Sequence, residues 1–455
     1  MEKELPIGWV ETNLDMIVVQ KKGKKPLKLE PVEFKNSVPY LDIHALEKGI
    51  YRQYAEIKSS NLMDENMIAI VWDGARSGWV SKGKFGAIGS TLAALKPINV
   101  DINYVFYYLQ SNFSLINTNP RGIGIPHVDP TLLWNLSVPL PPLPEQQRMV
   151  AKLDTLFEHL DALKNRLDRI PQLLKDFRQK VLTQAVTGKL TEEWREGREL
   201  AEWKTEALGN VLKDVKYGTS KKSEYETIGT PILRIPNIKN GEIDISDLKF
   251  SILDDKEYDS LKLDEGDILI IRSNGSVSLV GQSAIIRKNL EGYSYAGYLI
   301  RLRVKKSLFP DYLNYALESH SLREQIVETA RSTSGVNNIN SQEIKDLIIS
   351  YPPIEEQQEI VRRVESLFAK ADQIEASYQK LTAKIEQLPQ ALLAKAFRGE
   401  LVEQLPTDGD SRELLEQIKQ AKAGLEKGGK IKKMKGDEET RMVAEGGSRY
   451  GLRRI

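Results

Sequence analysis

The sequence predicts an α+β chain with a pseudo-two-fold internal repeat: two mixed α/β blocks separated by two long coiled-coil helices. Three observations predict it. One segment occurs twice, as PLPPLPEQQRMVAKLDTLF from Pro139 to Phe157 and as SYPPIEEQQEIVRRVESLF from Ser350 to Phe368. Glu145-Gln146-Gln147 thus lies 211 positions before Glu356-Gln357-Gln358, and the same offset carries Asp161 onto Asp372 and Gly188 onto Gly399. Apolar residues then follow at steps of three and four, the seam of a helix that pairs with another helix.

The helices are the most legible elements. The first stripe is Val150, Leu153, Phe157, Leu160, Leu163, Leu167, Ile170, Leu174, Phe177 and Val181. The second is Val361, Val364, Phe368, Ala371, Ile374, Tyr378, Leu381, Ile385, Leu388 and Leu392. One slip, at Leu160–Leu163, recurs at its counterpart. A shared spacing makes each helix the simplest partner of the other. Prolines before each copy mark a helix start, and Gly188 and Gly399 mark its stop. Pro171 and Pro389 lie inside the stripes and should kink or break both helices. The boundaries are 1–142 for the first block, 143–196 for the central helical region, 197–352 for the second block, 353–404 for the distal helical region and 405–455 for a flexible tail.

The blocks read as short strands, turns and a helix. In the first, Trp9 and Leu14 open the block and Met67–Trp72 is a strand. Residues 83–89 carry Gly83, Gly86 and Gly89 without the strand and helix of a cofactor loop, Tyr104–Leu109 is helical, and 117–128 is an exposed loop. In the second, Trp203 and Leu208 repeat the opening, and Pro231–Ile235, Ile268–Ile271 and Gln282–Ile286 are strands. Arg272–Ser276 is a tight polar loop, Tyr312–Thr329 is helical, and 331–340 is a loop in the place of 117–128. Leu414–Leu425 forms one short helix in an otherwise solvated, Lys-rich tail.

Composition narrows the function. The chain has no Cys and four His, which excludes disulfides and thiolate metal sites. Lys plus Arg number 65 and Asp plus Glu 64, so bulk charge does not drive nucleic-acid binding. No signal peptide or membrane span is legible. No G-x-x-x-x-G-K-[ST] phosphate loop is present. Asp311 with Glu343-Ile344-Lys345 resembles a nuclease set only superficially, since both acids open helices. No catalytic residue is assigned.

What remains is a binding surface of Gly-rich polar loops, whose Arg, Asn and Ser side chains suit phosphates and base edges. The DNA-binding candidates in the first block are Lys24, Lys25, Arg76, Ser77, Arg121, Gly122 and His127. In the second they are Arg234, Asn237, Arg272, Ser273, Asn274, Ser332, Ser334, Asn337 and Asn338.

The order of block, P-P-x-x-E-Q-Q helix, block, P-P-x-x-E-Q-Q helix resembles the specificity (S) subunit of type I restriction–modification enzymes, closest to the enterobacterial branch. The residues that carry it are Pro141–Gln147 and Pro352–Gln358, with Ala185–Leu190, Ala394–Leu401 and the Gly8-Trp9 opening. The resemblance implies a cytoplasmic, non-catalytic subunit whose blocks are target-recognition domains, each reading half of an asymmetric bipartite DNA sequence. It implies that the helices pack antiparallel, set the gap and dock two modification (M) subunits, which restriction (R) subunits then join. S-adenosylmethionine, ATP and Mg2+ belong to those partners, and this chain holds no cofactor. Helix pairing and partner docking fall to Glu145, Gln146, Gln147, Leu153, Phe157, Leu167, Leu174, Glu356, Gln357, Gln358, Val364, Phe368, Tyr378 and Ile385. Neither an N-P-P-[YF] methyltransferase motif nor a helicase loop is present; Ser350-Tyr351-Pro352-Pro353 only scrambles the former.

Overall fold

The architecture rests on a computed structural model that describes residues 5–121, 126–330 and 337–432, with side chains as far as 425. The chain divides into two compact units: Met1–Asn165 with Thr382–Ile455, and Arg166–Leu381.

Each unit is built on the same antiparallel four-stranded sheet. In the first unit the order is Val18–Lys22, Leu92–Pro97, Ile68–Val71, Val80–Lys82. In the second it is Leu212–Tyr217, Leu299–Val304, Ile268–Ile271, Ser283–Ile285. The central strands Ile68–Val71 and Ile268–Ile271 are buried at every position, which is why they read as unbroken apolar runs rather than alternating ones. A second sheet flanks each, with one parallel pairing, Tyr40 with Ala87 and Ile232 with Ser294.

A helix crosses each main sheet. Asp101 caps Ile102–Ser111 by accepting from the backbone N–H groups of Asn103 (2.8 Å) and Tyr104 (3.1 Å). The counterpart helix starts with Pro310 in its first turn and spans Pro310–Leu317. A second helix, His320–Ala330, follows after a break at Ser319, so the helical stretch expected from 312 to 329 is two elements. Tyr104 and Tyr312 hydroxyls donate to the carbonyls of Pro139 and Ser350 on the strands that lead to the long helices.

The first long helix spans Leu143–Leu167 and resumes as Ile170–Val186, with Pro171 in the opening turn of the second piece. There the missing N–H of proline costs nothing. The second long helix runs unbroken over Ile354–Ala396, 43 residues through Pro389, so of the kink or break expected there the break does not occur. In the second unit the pairing is antiparallel. Arg178 reaches Asp372 (2.8 Å) and Glu375 (3.0 Å), while Arg363 donates to the Leu190 carbonyl at 3.0 Å. In the first, Phe157 and Asp161 line a cavity with Pro389 and Leu393, and Arg148 donates to the Glu403 carbonyl at 3.0 Å, the same sense.

Leu153, Leu167, Leu174, Val364 and Ile385 are buried along the helices, and Phe157, Phe368 and Tyr378 are half-buried. Leu163 and Ile374, at the slip in each stripe, are 44% and 52% exposed: the slip turns them off the seam.

The flexible-tail expectation is corrected over 411–425. Ser411–Lys432 is helical, and Ile418 is fully buried in the core that holds Trp9, Leu14 and Ile17. Lys422 Nζ pairs with Asp15 at 2.9 Å, and Ser411 N–H donates to the Gly8 carbonyl at 3.0 Å. Burying a carboxylate in that core costs several kcal/mol. Ile418→Asp should therefore release the helix, seen as hydrogen exchange over 411–425 rising at least 10-fold; unchanged protection would show that the core does not hold it.

Candidate nucleic-acid interface

Each block is tied to its long helix by one buried joint. Trp9 Nε1 donates to Glu145 Oε2 at 2.9 Å, and Gln146 accepts from the Asp101 backbone N–H (3.0 Å) while donating to the Pro141 carbonyl (2.8 Å). In the second copy Trp203 Nε1 donates to Glu356 Oε1 at 3.3 Å, and Gln357 accepts from the Phe309 N–H (2.6 Å) and donates to the Pro352 carbonyl (2.8 Å). Glu356 also takes Thr191 Oγ1 (2.8 Å) and an ion pair with Arg195, which Glu145 lacks. Burial pushes the Glu145 carboxyl up despite the Trp9 bond. All four are buried inside their own unit, and the pairing or docking expectation is corrected for Glu145, Gln146 and Gln357, which bind their own block; Glu356 also joins Thr191 and Arg195 of the central helical region. Gln147 and Gln358 are exposed.

The joints fix where the loops stand. In both blocks the chain leaving the central strand is clasped by the segment before the long helix: Val128 N–H donates to the Trp72 carbonyl (2.9 Å) and Ile339 N–H to the Arg272 carbonyl (2.8 Å). Around the second clasp, Ser273 and Asn274 pair as a short antiparallel strand with Asn338 and Asn337. Two loops far apart in sequence form one surface there. Arg272 Nε donates to Asn338 Oδ1 at 3.2 Å, and its guanidinium lies 4.7 Å from the Tyr217 ring. Around the first clasp, His127 Nδ1 meets Asp73 Oδ1 at 2.6 Å, and Arg121 bridges to His127 through the backbone. Gly23 N–H donates to the Leu92 carbonyl at 2.9 Å, and a Cβ on Gly23 would sit 2.0 Å from the Gly89 carbonyl oxygen, so only glycine lets the chain turn there. Lys24 and Lys25 follow it, exposed.

Other candidates are placed differently. Ser77 is fully buried, and its Oγ has no hydrogen-bond partner among the described residues. Arg76 lies over Trp79 (4.6 Å) and pairs with Glu47 (3.1 Å), holding that carboxyl below its usual range. Asn237 is fully buried; it accepts from the Arg234 N–H (2.8 Å) and donates to the carbonyls of Asp244 (2.8 Å) and Asp247 (2.9 Å). Arg234 is engaged with Asp247 at 3.0 Å. Asn237 is corrected to a structural role, because a polar side chain folded back onto its own loop satisfies backbone rather than ligand, and Ser77 is buried away from any ligand. Gly122, Ser332 and Ser334 lie outside the described residues. Sequence reasoning missed Asp73 and Tyr217, whose contacts cross between separate strands or loops.

The two acids of the nuclease-like set are engaged elsewhere. Glu343 closes a capping box with Asn340, and Asp311 is held by Arg287 at 2.5 Å. Among the described residues no helix is long and apolar enough to cross a membrane, and no group of three or more acidic or His side chains could hold a metal.

Comparisons with known proteins agree with this geometry. The family model for the type I restriction modification DNA specificity domain matches residues 6–172 and 201–387. The chain is 31% identical over 448 residues to the type I restriction enzyme EcoKI specificity subunit of Escherichia coli K12, covering 92% of this chain and 97% of that protein. It is 30% identical over 420 residues to the StySPI specificity subunit of Salmonella potsdam, covering 88% and 91%. Its fold matches the HsdS subunit of Thermoanaerobacter tengcongensis with a TM-score of 0.61 at 20% identity, over 88% of this chain and 99% of that one. A chain solved for the assembly and conformational transition of a type I R-M system matches at a TM-score of 0.65 and 22% identity, over 87% and 99%. The doubled joint, the doubled sheet and these matches place the chain in the family of type I restriction–modification specificity subunits.

Proposed function

We propose that each block reads one half of an asymmetric, bipartite double-stranded DNA target. The observation that carries this is the pair of clasps: one backbone frame, presented twice, with Trp72, Asp73, Arg121 and His127 on one and Arg272, Ser273, Asn274, Asn337 and Asn338 on the other. One frame supports one mode of approach, and different side chains support different bases. The long helices set the gap between half-sites and dock two M subunits, which R subunits join. Leu163, Leu173, Phe177, Ile374 and Leu381, all more than a third exposed, supply apolar surface for such helices. S-adenosylmethionine, ATP and Mg2+ reside on those partners, the location is cytoplasmic, and this chain contributes specificity without catalysis. With near-neutral charge, much of the phosphate contact falls to the partners.

The test is co-expression with the neighbouring methyltransferase gene and single-molecule sequencing of the host genome for methylated adenine. A split motif with a constant gap is expected. A stable complex that leaves the genome unmodified would favour a protein-binding scaffold instead.

A further inference from the structure

Strand register aligns the two blocks residue by residue. Ala93 pairs with Lys22 and with Ile70, and Ile300 pairs with Tyr217 and with Ile270. Lys22 therefore corresponds to Tyr217, and Trp72, two residues past Ile70, to Arg272. Both pairs are a cation over a ring. Lys22 Nζ lies 5.9 Å from the Trp72 ring, and the Arg272 guanidinium 4.7 Å from the Tyr217 ring. The two blocks have exchanged which strand carries the cation and which the ring.

The exchange changes the chemistry presented. Lys22 is an ammonium on a flexible stem, a point charge suited to a phosphate. Arg272 is held on every side but one. Its N–H donates to the Tyr298 carbonyl (3.0 Å), its carbonyl accepts from Ile339 (2.8 Å), its Nε is tied to Asn338, and its plane rests on Tyr217. Its two terminal nitrogens have no partner among the described residues. Neighbouring amides are occupied: Asn274 Oδ1 accepts from Ser276 N–H (2.9 Å), and Asn337 Nδ2 donates to the Gly275 carbonyl (3.2 Å). A guanidinium with Nε tied off and both Nη groups free is a two-pronged donor, matched in the major groove by the O6 and N7 acceptors of guanine.

We propose that Arg272 reads a guanine in the half-site of the second block, with Asn338 and Tyr217 as positioning residues that aim its fork. This rests on the reading of the chain as a DNA-reading subunit. The first block carries Trp72 at the place of Arg272 and Lys22 at the place of Tyr217, so no guanine is specified there by this device.

The test is the methylated-adenine motif written by the M–S complex carrying Arg272→Lys, Arg272→Ala, Asn338→Ala or Lys22→Ala. Arg272→Lys keeps the charge and loses the fork, so it decides the matter even if Arg272→Ala fails to assemble. Selectivity for one guanine of one half-site should fall about 10- to 100-fold, with every other position unchanged. Asn338→Ala should relax the same position and no other. Lys22→Ala should keep the whole motif and reduce methylation as salt rises. If Arg272→Lys writes the unaltered motif, or relaxes a position that is not guanine, Arg272 does not read that base and the subunit reading stands. A parent complex that writes no split motif removes both.

Discussion

Glu356→Ala should destabilise the second unit by about 3–5 kcal/mol, the usual cost of stripping one member from a buried ion pair. The carboxylate is fully buried and satisfies Thr191, Arg195 and Trp203 together. Its loss leaves the Arg195 charge and the Trp203 N–H without their acceptor. The same position in the first copy should behave in the opposite way. Glu145 has Trp9 alone, and its Oε1 has no hydrogen-bond partner among the described residues. Glu145→Gln keeps an acceptor for Trp9 and removes a buried charge, so it should be neutral or stabilise by about 1 kcal/mol at pH 7. The pH dependence follows from the direction of the shift. A carboxyl whose pKa is raised on folding binds its proton more tightly in the native state, so the native state loses relative stability as pH rises through that pKa. The advantage of Gln at 145 should thus be greatest at neutral pH and vanish once Glu145 is protonated. Thermal unfolding of both variants from pH 4 to 8 measures this. Equal losses in the two copies would contradict the asymmetry.

Asn237→Ala should cost about 3 kcal/mol and leave the bases read unchanged. The side chain is fully buried and makes three hydrogen bonds to backbone, closing the turn that follows Thr230–Leu233. Alanine leaves the Arg234 N–H and the Asp244 carbonyl unpaired, each at about 1 kcal/mol or more, and takes one of two donors from the Asp247 carbonyl. Urea unfolding reads the loss, and the methylation motif of the assembled complex reads specificity. A changed base preference with unchanged stability would return Asn237 to the reading surface.

These two residues show what the sequence exposes and what it hides. The repeat was legible because Glu-Gln-Gln and the apolar stripe recur at one offset, and the long helices follow from local periodicity. Trp9 and Trp203 were legible as openings. Their bonds to Glu145 and Glu356 were not, since those contacts span 136 and 153 positions and leave no local mark. Polar residues in Gly-rich turns read alike whether they face solvent, as Lys24 does, or fold inward, as Ser77 and Asn237 do. The correspondence of Trp72 with Arg272 was hidden because the chain between the two equivalent positions is of different length in the two blocks; strand register restores it. The helix within Ser411–Lys432 was legible over Leu414–Leu425, but its docking was not, because the burial that anchors it falls on Ile418 in a stretch rich in Lys and Glu.

The glutamines of the joint have one more consequence. Gln146 and Gln357 hold each block through backbone groups alone: an N–H of Asp101 or Phe309, a proline carbonyl and, for Gln357, the Ser307 carbonyl as well. These bonds ask only a backbone amide of 101 and 309, whatever the side chain there does besides. Anchoring is thus indifferent to the identity of the side chains displayed on the loops. Inheritance can vary the displayed residues one at a time without loosening the mount, and the vocabulary of the subunit can drift while its grammar stays put.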